Sequence, residues 1–246
     1  MTSISVALGE LFDVGSSKRV LKSQWQSAGV PFYRGREVTK LAANGTVDNE
    51  LFISESLFAD FASKSGVPTA DDIMVTAIGT IGNSFVVRDG DRFYFKDASV
   101  LWLKKRSEVN SEFINFWLKS DQFLSQLARG NGATVDTLTI QKMQSVVVYV
   151  PSLLEQHRIV TILDEAFEGI ATAKAHAEQN LRNAKSLITT RLAQLFRPDG
   201  DMVRLADLAI SISDGDHAPP PKASAGVPFI TISNINKESR QIDFSR

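Results

Sequence analysis

The chain has 246 residues, of which 43% are apolar, 22% charged and 9% aromatic, a composition typical of a folded protein of one or two domains. It contains no cysteine and only three scattered histidines, which excludes a disulfide framework and a cysteine-based zinc site. The net charge of −1 argues against a protein that coats nucleic acid by bulk charge alone. No apolar run is long enough for a membrane span and no secretory signal is recognised, so we expect a cytoplasmic protein.

Residues 1–150 alternate short β-like runs with turn signals, a pattern that predicts an α+β domain. Strands are predicted at Val30–Tyr33, Ile73–Ile78, Ser84–Val87, Phe93–Phe95, Val100–Leu103 and Val146–Val150, and one amphipathic helix is predicted at Ser111–Leu127. We interpret Asp71–Asp72 as a turn before a strand rather than a catalytic pair of carboxylates. Thr76 and Thr80, on either side of Gly79, are interpreted as structural turn residues.

A long helix is predicted directly after this domain. Ser152 and Glu155 form a capping-box pattern, and no proline interrupts the chain until Pro198, which gives a helix of about 45 residues and about 67 Å. Its apolar residues recur in steps of three and four, which indicates a coiled-coil seam. The predicted helix–helix interface consists of Leu163, Ala166, Ile170, Ala173, Ala177, Leu181, Ala184, Ile188, Leu192 and Leu195.

The two halves of this helix differ in charge. Residues 152–175 are mainly acidic and residues 176–197 mainly basic, so two such helices would attract each other in an antiparallel arrangement. The alternative is that the distribution merely complements the helix macrodipole.

The sequence contains an internal repeat. Ser27–Phe32 reads SAGVPF and recurs as Ser224–Phe229, and the same offset of 197 residues aligns Val6 with Val203 and Lys40 with Lys237. Six consecutive identities arise by chance in roughly one in a thousand sequences of this size, so we interpret the repeat as a duplication. We expect the sequence to stop inside the second copy of a longer chain of about 390 residues. The alternative is a single-copy protein with a short vestigial tail.

Basic residues are concentrated near the start of the chain, where residues 1–46 have a net charge of +3. Lys and Arg bind phosphates and polar side chains reach base edges, so basic clusters and Gly-bounded loops are candidate DNA contacts. The candidates are Lys18, Arg19, Lys22, Arg34, Arg36, Lys40, Arg129 and Asn131. A solvated charged face explains these clusters nearly as well.

Catalytic motifs are not found. The sequence has no Walker-type phosphate loop, no GxGxxG after a strand and no Asp- or Asn-Pro-Pro-aromatic sequence for adenine methylation. Asp214–His217 is interpreted as a loop rather than a metal site. His157 and His176 are interpreted as solvated or packing residues of the long helix.

Taken together, the duplication and the order of several motifs resemble the specificity subunits of type I restriction-modification systems. The matching motifs are the opening Val6–Val14, Gly29–Phe32, Asp72–Val75 leading into Ile78–Gly82, Asn131–Thr134, and Pro151 with Glu155, Gln156 and Ile159. The two copies differ at one motif, because Ser233–Ile235 stands where the first copy has Arg36–Val38.

The resemblance implies a non-catalytic subunit that directs methyltransferase and restriction subunits to a split DNA site. Residues 1–150 would be the first target recognition domain, residues 151–197 a spacer and docking helix, and residues 203–246 the incomplete start of the second recognition domain. Double-stranded DNA and modification subunits are the expected partners, and S-adenosylmethionine, ATP and Mg²⁺ are expected only in partner subunits. A homodimer through the long helix is expected of the truncated chain, with no membrane association.

Two other functional classes stay open. A coiled-coil scaffold or protein-interaction module would share the long helix but would need no DNA sequence preference. An enzyme of another type is the third possibility, although no set of nucleophile, base and orienting group can be assembled from the sequence.

Overall fold

The computed structural model describes residues 4–128, 137–196, 203–212, 225–236 and 241–242. The chain divides into two compact units, residues 1–179 and 180–246. The predicted α+β class with a long helix after a globular domain is confirmed.

The described strands all lie in the first unit. They are β1 (Ile4–Ala7), β2 (Phe12–Gly15), β3 (Val30–Tyr33), β4 (Phe52–Ile53), β5 (Ile73–Thr76), β6 (Ser84–Val86), β7 (Tyr94–Phe95), β8 (Val100–Lys105) and β9 (Val147–Val150).

The described helices include one that is far longer than the rest. They are α1 (Leu8–Leu11), α2 (Gly35–Asn44), α3 (Glu55–Ser65), α4 (Ser111–Trp117), α5 (Asp121–Ala128), α6 (Ile140–Ser145), α7 (Leu153–Leu195) and α8 (Leu205–Leu208). Short 3-10 turns occur at Lys22–Gln24 and Ile232–Asn234.

The strands form three small sheets. The largest is antiparallel with the order β2-β8-β5-β6, and every residue of the inner strand β5 is buried, as expected of a β-branched and apolar run covered on both faces. The second sheet has the order β4-β3-β7, in which β3 and β7 are parallel. The third pairs β1 with β9 and thereby joins the beginning of the domain to its end. The largest apolar cluster connects the β1–β9 sheet with the four-stranded one.

All six predicted strands are present; β5, β6, β7 and β9 are shorter than predicted, and β8 extends beyond Leu103 to Lys105. The prediction of one helix over Ser111–Leu127 is wrong, because the chain forms α4 and α5 with a break between them. At the break, the Ser120 hydroxyl donates to the carbonyl of Trp117 at 2.6 Å. The turn allows Trp117 and Phe123 to be buried together, with ring centroids 5.4 Å apart. Packing of two large rings therefore outweighs continuation of the helix.

Local structure recurs at the offset of 197 residues. The four residues of α8 correspond to the four residues of α1. Gly29 and Gly226 both have positive φ, 126° and 140°. A Cβ at Gly29 would lie 2.4 Å from the carbonyl oxygen of Ile53, so no other residue fits between β3 and β4 at this point.

The predicted turn at Asp71–Asp72 is confirmed, and Asp72 is also an anchor of the four-stranded sheet. Its buried carboxylate accepts hydrogen bonds from Trp102 Nε1 at 2.8 Å and from the backbone N–H groups of Thr69 and Lys105 at 2.9 and 3.0 Å. Thr69 lies in the turn before β5, and Trp102 and Lys105 lie on β8. The Asp72 carboxylate therefore connects this turn to β8.

Replacing Asp72 by Ala should lower the free energy of unfolding by about 3 kcal/mol, because it leaves the buried Trp102 N–H without its partner. Urea unfolding of the purified chain measures this change. Asp60→Ala is the matched control: Asp60 pairs with Lys64 on the exposed face of α3, and its loss should change stability by less than about 0.5 kcal/mol. Equal effects of the two substitutions would contradict the anchoring role.

Candidate functional site

The junction between β3 and α2 is built around a buried carboxylate. The Glu37 side chain is 1% exposed and accepts hydrogen bonds from Arg34 Nε at 3.1 Å, Arg34 Nη2 at 3.0 Å and Arg36 Nε at 2.9 Å. It also caps the helix, because Arg34 N donates to Glu37 Oε2 at 2.9 Å. One acid therefore fixes both the start of α2 and the direction of two arginine side chains.

These contacts keep Glu37 ionised. Burial by itself raises the pKa of this carboxyl, but the hydrogen bonds from Arg34 and Arg36 outweigh it and lower the pKa to about 2. A charge is tolerated at this depth because both carboxylate oxygens accept hydrogen bonds from arginine donors.

Arg36 extends the cluster outward. Its Nη2 lies 2.7 Å from Glu50 Oε2, and this pairing lowers the pKa of Glu50 and raises that of Arg36. A guanidinium carries five N–H donors, so Arg36 retains donors for a phosphate beyond those used on the two carboxylates. Lys40 follows one turn later on the same helix and is exposed.

A further lysine is brought to this junction by the strand pairing. Because β3 and β7 are parallel, Arg34 and Lys96 follow the same ends of neighbouring strands, and Lys96 N donates to Tyr33 O at 2.8 Å. Lys18 has a different contact: its N–H donates to the Tyr94 hydroxyl at 2.9 Å, and Tyr94 belongs to an apolar cluster other than the one that includes Val38 of α2. We call the surface formed by Arg34, Arg36, Lys40 and Lys96 the basic edge.

An open groove of about 460 Å³ lies between α2 and the turn at Gly79, beside the basic edge. Basic side chains form one part of its lining, and hydroxyl groups and an exposed apolar residue form the rest. The lining residues are Gly35, Arg36, Thr39, Lys40, Ile78, Gly79, Thr80 and Ser99. The groove therefore offers cations for phosphate together with hydroxyls that can donate to or accept from a base edge.

The turn that forms one wall of the groove is held by its own hydrogen bonds. Thr76 Oγ1 donates to the carbonyl of Thr80 and accepts from Asn83 N at 3.0 Å, and Gly79 has φ 79°. The Asn83 amide donates to Thr39 Oγ1 at 3.1 Å and so connects the turn to α2. The interpretation of Thr76 as a structural turn residue is confirmed, whereas the Thr80 hydroxyl is exposed on the groove.

The remaining candidate residues lie elsewhere. Lys22 lies four residues before Gln26, and the backbone of Gln26 pairs with Phe52 of β4. Because β4 and β7 lie on opposite sides of β3, Lys22 is near the side of the sheet away from Lys96. Arg19, which lies between Lys18 and Lys22 in the chain, is exposed. Arg129 and Asn131 lie outside the described residues. Lys96 was not among the predicted DNA contacts. The sequence shows only that it lies in a basic segment, which does not distinguish it from other exposed lysines.

The second copy repeats the cap with different chemistry. Asn234 occupies the position of Glu37 at the offset of 197 residues, and its Oδ1 accepts from Thr231 N at 2.9 Å, as Glu37 accepts from Arg34 N. Threonine and serine stand where the first copy has Arg34 and Arg36. The same backbone arrangement therefore occurs without the two arginines.

Helix α7 exposes most of its predicted seam. Leu163 is half-buried, and the other predicted interface residues are exposed, with Ile170 63% and Ile188 61% accessible. The predicted seam is therefore exposed along most of its length, and pairing through it stays a prediction.

Other site types find no match in the described part of the chain. Among those residues, no group of three or more His, Asp or Glu side chains is arranged to hold a metal ion. None of the helices described there has an apolar stretch long enough to span a membrane. Asp214–His217 lies outside the described residues.

Comparison with known proteins identifies a family. Residues 3–182 match the family described as the type I restriction modification DNA specificity domain. A type I restriction enzyme specificity subunit of Haemophilus influenzae is 32% identical over 161 residues, which are 65% of this chain and 39% of that protein. The EcoBI specificity subunit of Escherichia coli is 24% identical over 63% of this chain and 33% of that protein. The aligned part of this chain thus spans about two fifths or less of these relatives.

Solved structures share the fold. A structure from work on complex assembly and conformational transition of the type I R-M system aligns with a TM-score of 0.60 and 20% identity over 80% of this chain and 46% of its own. The HsdS subunit of Thermoanaerobacter tengcongensis aligns with a TM-score of 0.53 and 19% identity over 80% of this chain and 45% of its own. The resemblance found in the sequence is confirmed.

Glu37→Gln should destabilise the domain by about 2 kcal/mol at pH 7, because it replaces charge-assisted hydrogen bonds by neutral ones. The pKa of Glu37 is lower in the folded chain than in the unfolded one, so its stabilisation is complete above about pH 4.5 and is lost as the pH falls towards about 2. Denaturant unfolding of both proteins across this pH range should therefore show the difference shrinking with acidity. The exposed Glu50→Gln is the control and should have a much smaller effect; a pH-independent difference at Glu37 would contradict the assignment.

Proposed function

The chain belongs to the type I restriction-modification DNA specificity family, and we propose that it is the non-catalytic subunit that selects the DNA sequence on which partner subunits act. Residues 1–150 would bind one half of a split site and the long helix would bind modification subunits, through which restriction subunits join. S-adenosylmethionine, ATP and Mg²⁺ would be bound by those partners. Action on chromosomal DNA would place the protein in the cytoplasm.

The observation that carries this proposal is the basic edge with its groove. Phosphates of one DNA strand would lie along Arg36, Lys40 and Lys96, which are exposed. The hydroxyls of Thr39, Thr80 and Ser99 would face the bases, because they line the groove beside these cations. A local cationic surface can attract DNA even in a chain that is nearly neutral as a whole, and this charge distribution supports the proposal.

The decisive experiment is co-expression of this chain with its cognate methyltransferase subunit, followed by mapping of adenine methylation across the host DNA. A new split motif that appears only with this chain is expected, and a palindromic motif would indicate two copies of the chain. If no new methylation appears, the experiment is repeated with a longer chain in which a complete second recognition domain is joined after the long helix. Methylation that still fails to appear counts against the proposal.

Lys40→Ala should weaken DNA binding by the assembled methyltransferase for specific and unspecific sequences alike, because the ammonium group would contact phosphate. The slope of log affinity against log salt should become shallower by about one. Fluorescence anisotropy over a salt series measures both effects. Lys64→Ala, on the exposed face of α3, is the matched control and should bind as the wild type does.

For the seam of α7, we propose the same helix of a second copy as the occupant. The acidic first half would lie against the basic second half in an antiparallel pair, which places opposite charges together along the whole length. Pairing of this kind would present two identical recognition domains and an inverted-repeat target.

Ile170→Lys should convert the purified chain from dimer to monomer at micromolar concentration, because it places a charge within the apolar seam. Size-exclusion chromatography with light scattering measures the mass. Thr172→Lys adds the same charge at an exposed position outside the predicted seam and should leave the dimer intact. A wild-type mass equal to one chain would contradict the pairing.

A further inference from the structure

The first part of helix α7 is held against the recognition domain by a buried amide. Gln156 is 2% exposed, and both ends of its carboxamide bind backbone groups. Its Nε2 donates to Pro151 O at 2.8 Å, and its Oε1 accepts from Asn110 N at 2.8 Å. Asn110 is the N-cap of α4, with its own side chain accepting from Phe113 N. A single glutamine therefore connects the start of α7 to the start of α4.

A second contact lies further along the same two helices. The rings of Phe116 on α4 and Phe167 on α7 stack with centroids 5.7 Å apart and an interplanar angle of 17°. Between the two contacts, Ile159 and Val160 pack against the main apolar cluster of the domain. The first contact lies near the start of both helices and the second lies further along both.

Two separated contacts define a direction, whereas one contact permits rotation about it. Gln156 and Phe167 are 11 residues apart, which is about 16 Å along the helix. Residues 153–179 of α7 extend about 40 Å, so a tilt of about 10° at its start would move residue 179 by about 7 Å. This displacement is roughly two base-pair rises of DNA.

We propose that Gln156 and the Phe116–Phe167 pair are positioning residues that hold α7 at a fixed direction to the recognition domain and thereby determine how many base pairs separate the two half-sites. This inference rests on the proposed function, and on the expectation that residues 151–197 also act as the spacer between two recognition domains. None of these three side chains belongs to the basic edge, so their loss changes spacing while leaving the half-site sequence unchanged.

The direction of the helix is measured without DNA. The chain has no cysteine, so Ala59→Cys on α3 and Ala175→Cys on α7, both exposed, give two unique spin-label sites in the full chain. Double electron–electron resonance on labelled chain diluted with unlabelled chain should give one narrow distance distribution. Adding Gln156→Ala and Phe167→Ala should broaden it by about 5 Å, as expected of tilting by several degrees at this length.

Three controls isolate the contacts. Phe167→Tyr keeps a stacking ring and should leave the distribution narrow. Leu154→Ala removes an 82% exposed apolar side chain from the first turn of the same helix and should also have no effect. The single variant Phe167→Ala truncates a 53% exposed side chain outside the domain core and should still broaden the distribution. An unchanged width in the double variant, or equal broadening in Leu154→Ala, would overturn the inference.

The effect on spacing is measured in the assembled methyltransferase. Targets with the same half-sites, separated by a number of unspecific base pairs that increases one at a time, are assayed for methylation. The wild type should methylate a single spacing, and Gln156→Ala/Phe167→Ala should also methylate the adjacent ones. If the wild type methylates no split target, the proposed function fails, and the resonance experiment still decides whether the two contacts orient the helix. Normal wild-type activity with unchanged spacing in the variant would refute the spacing role alone.

Discussion

A buried negative charge organises the surface that we propose binds DNA. A carboxylate as buried as that of Glu37 needs a cationic partner. Its partners are Arg34, just before α2, and Arg36, in the first turn of α2. Glu37 also caps the start of α2, the helix whose residues Arg36, Thr39 and Lys40 line the groove beside Gly79. Asn234 makes the equivalent cap in the second copy without charge, so the backbone arrangement and the cationic surface are separable features of the repeat.

The domain and the helix use different physical means. The sheets and short helices of the domain are stabilised by large buried apolar clusters. Helix α7 is exposed along its length beyond the first turns. Its buried residue is Gln156. A domain with a buried core suits the DNA reading that we propose for it, and an exposed helix with an apolar seam suits the pairing that we propose. The contacts of Gln156 and Phe167 lie where these two roles meet.

The sequence predictions are right where the pattern is local in the chain and wrong where the structure depends on packing between distant residues. Strands with β-branched runs, such as β5 and β9, were identified because burial on a sheet leaves a local pattern. Helices α2 and α3 were not predicted, since each has only a short apolar face and the structure stabilises them by packing on the sheets. The single helix predicted from Ser111 fails for the same reason: its break depends on where Trp117 and Phe123 are buried, and periodicity carries no information about this.

The sequence by itself determined the α+β class, the repeat, the start of α7 and the family, because these are written in adjacent residues or in the order of motifs. Only the tertiary structure decided which basic residues share a surface. Lys18 reaches Tyr94 across 76 positions and Asn110 reaches Gln156 across 46. Lys96 belongs to the basic edge because β7, which it follows, is parallel to β3. Lys22 does not belong to it, because the segment after Lys22 pairs with the antiparallel strand β4 on the other side of β3. Such pairings arise from long-range strand packing, for which no local pattern in the chain is a sufficient signal.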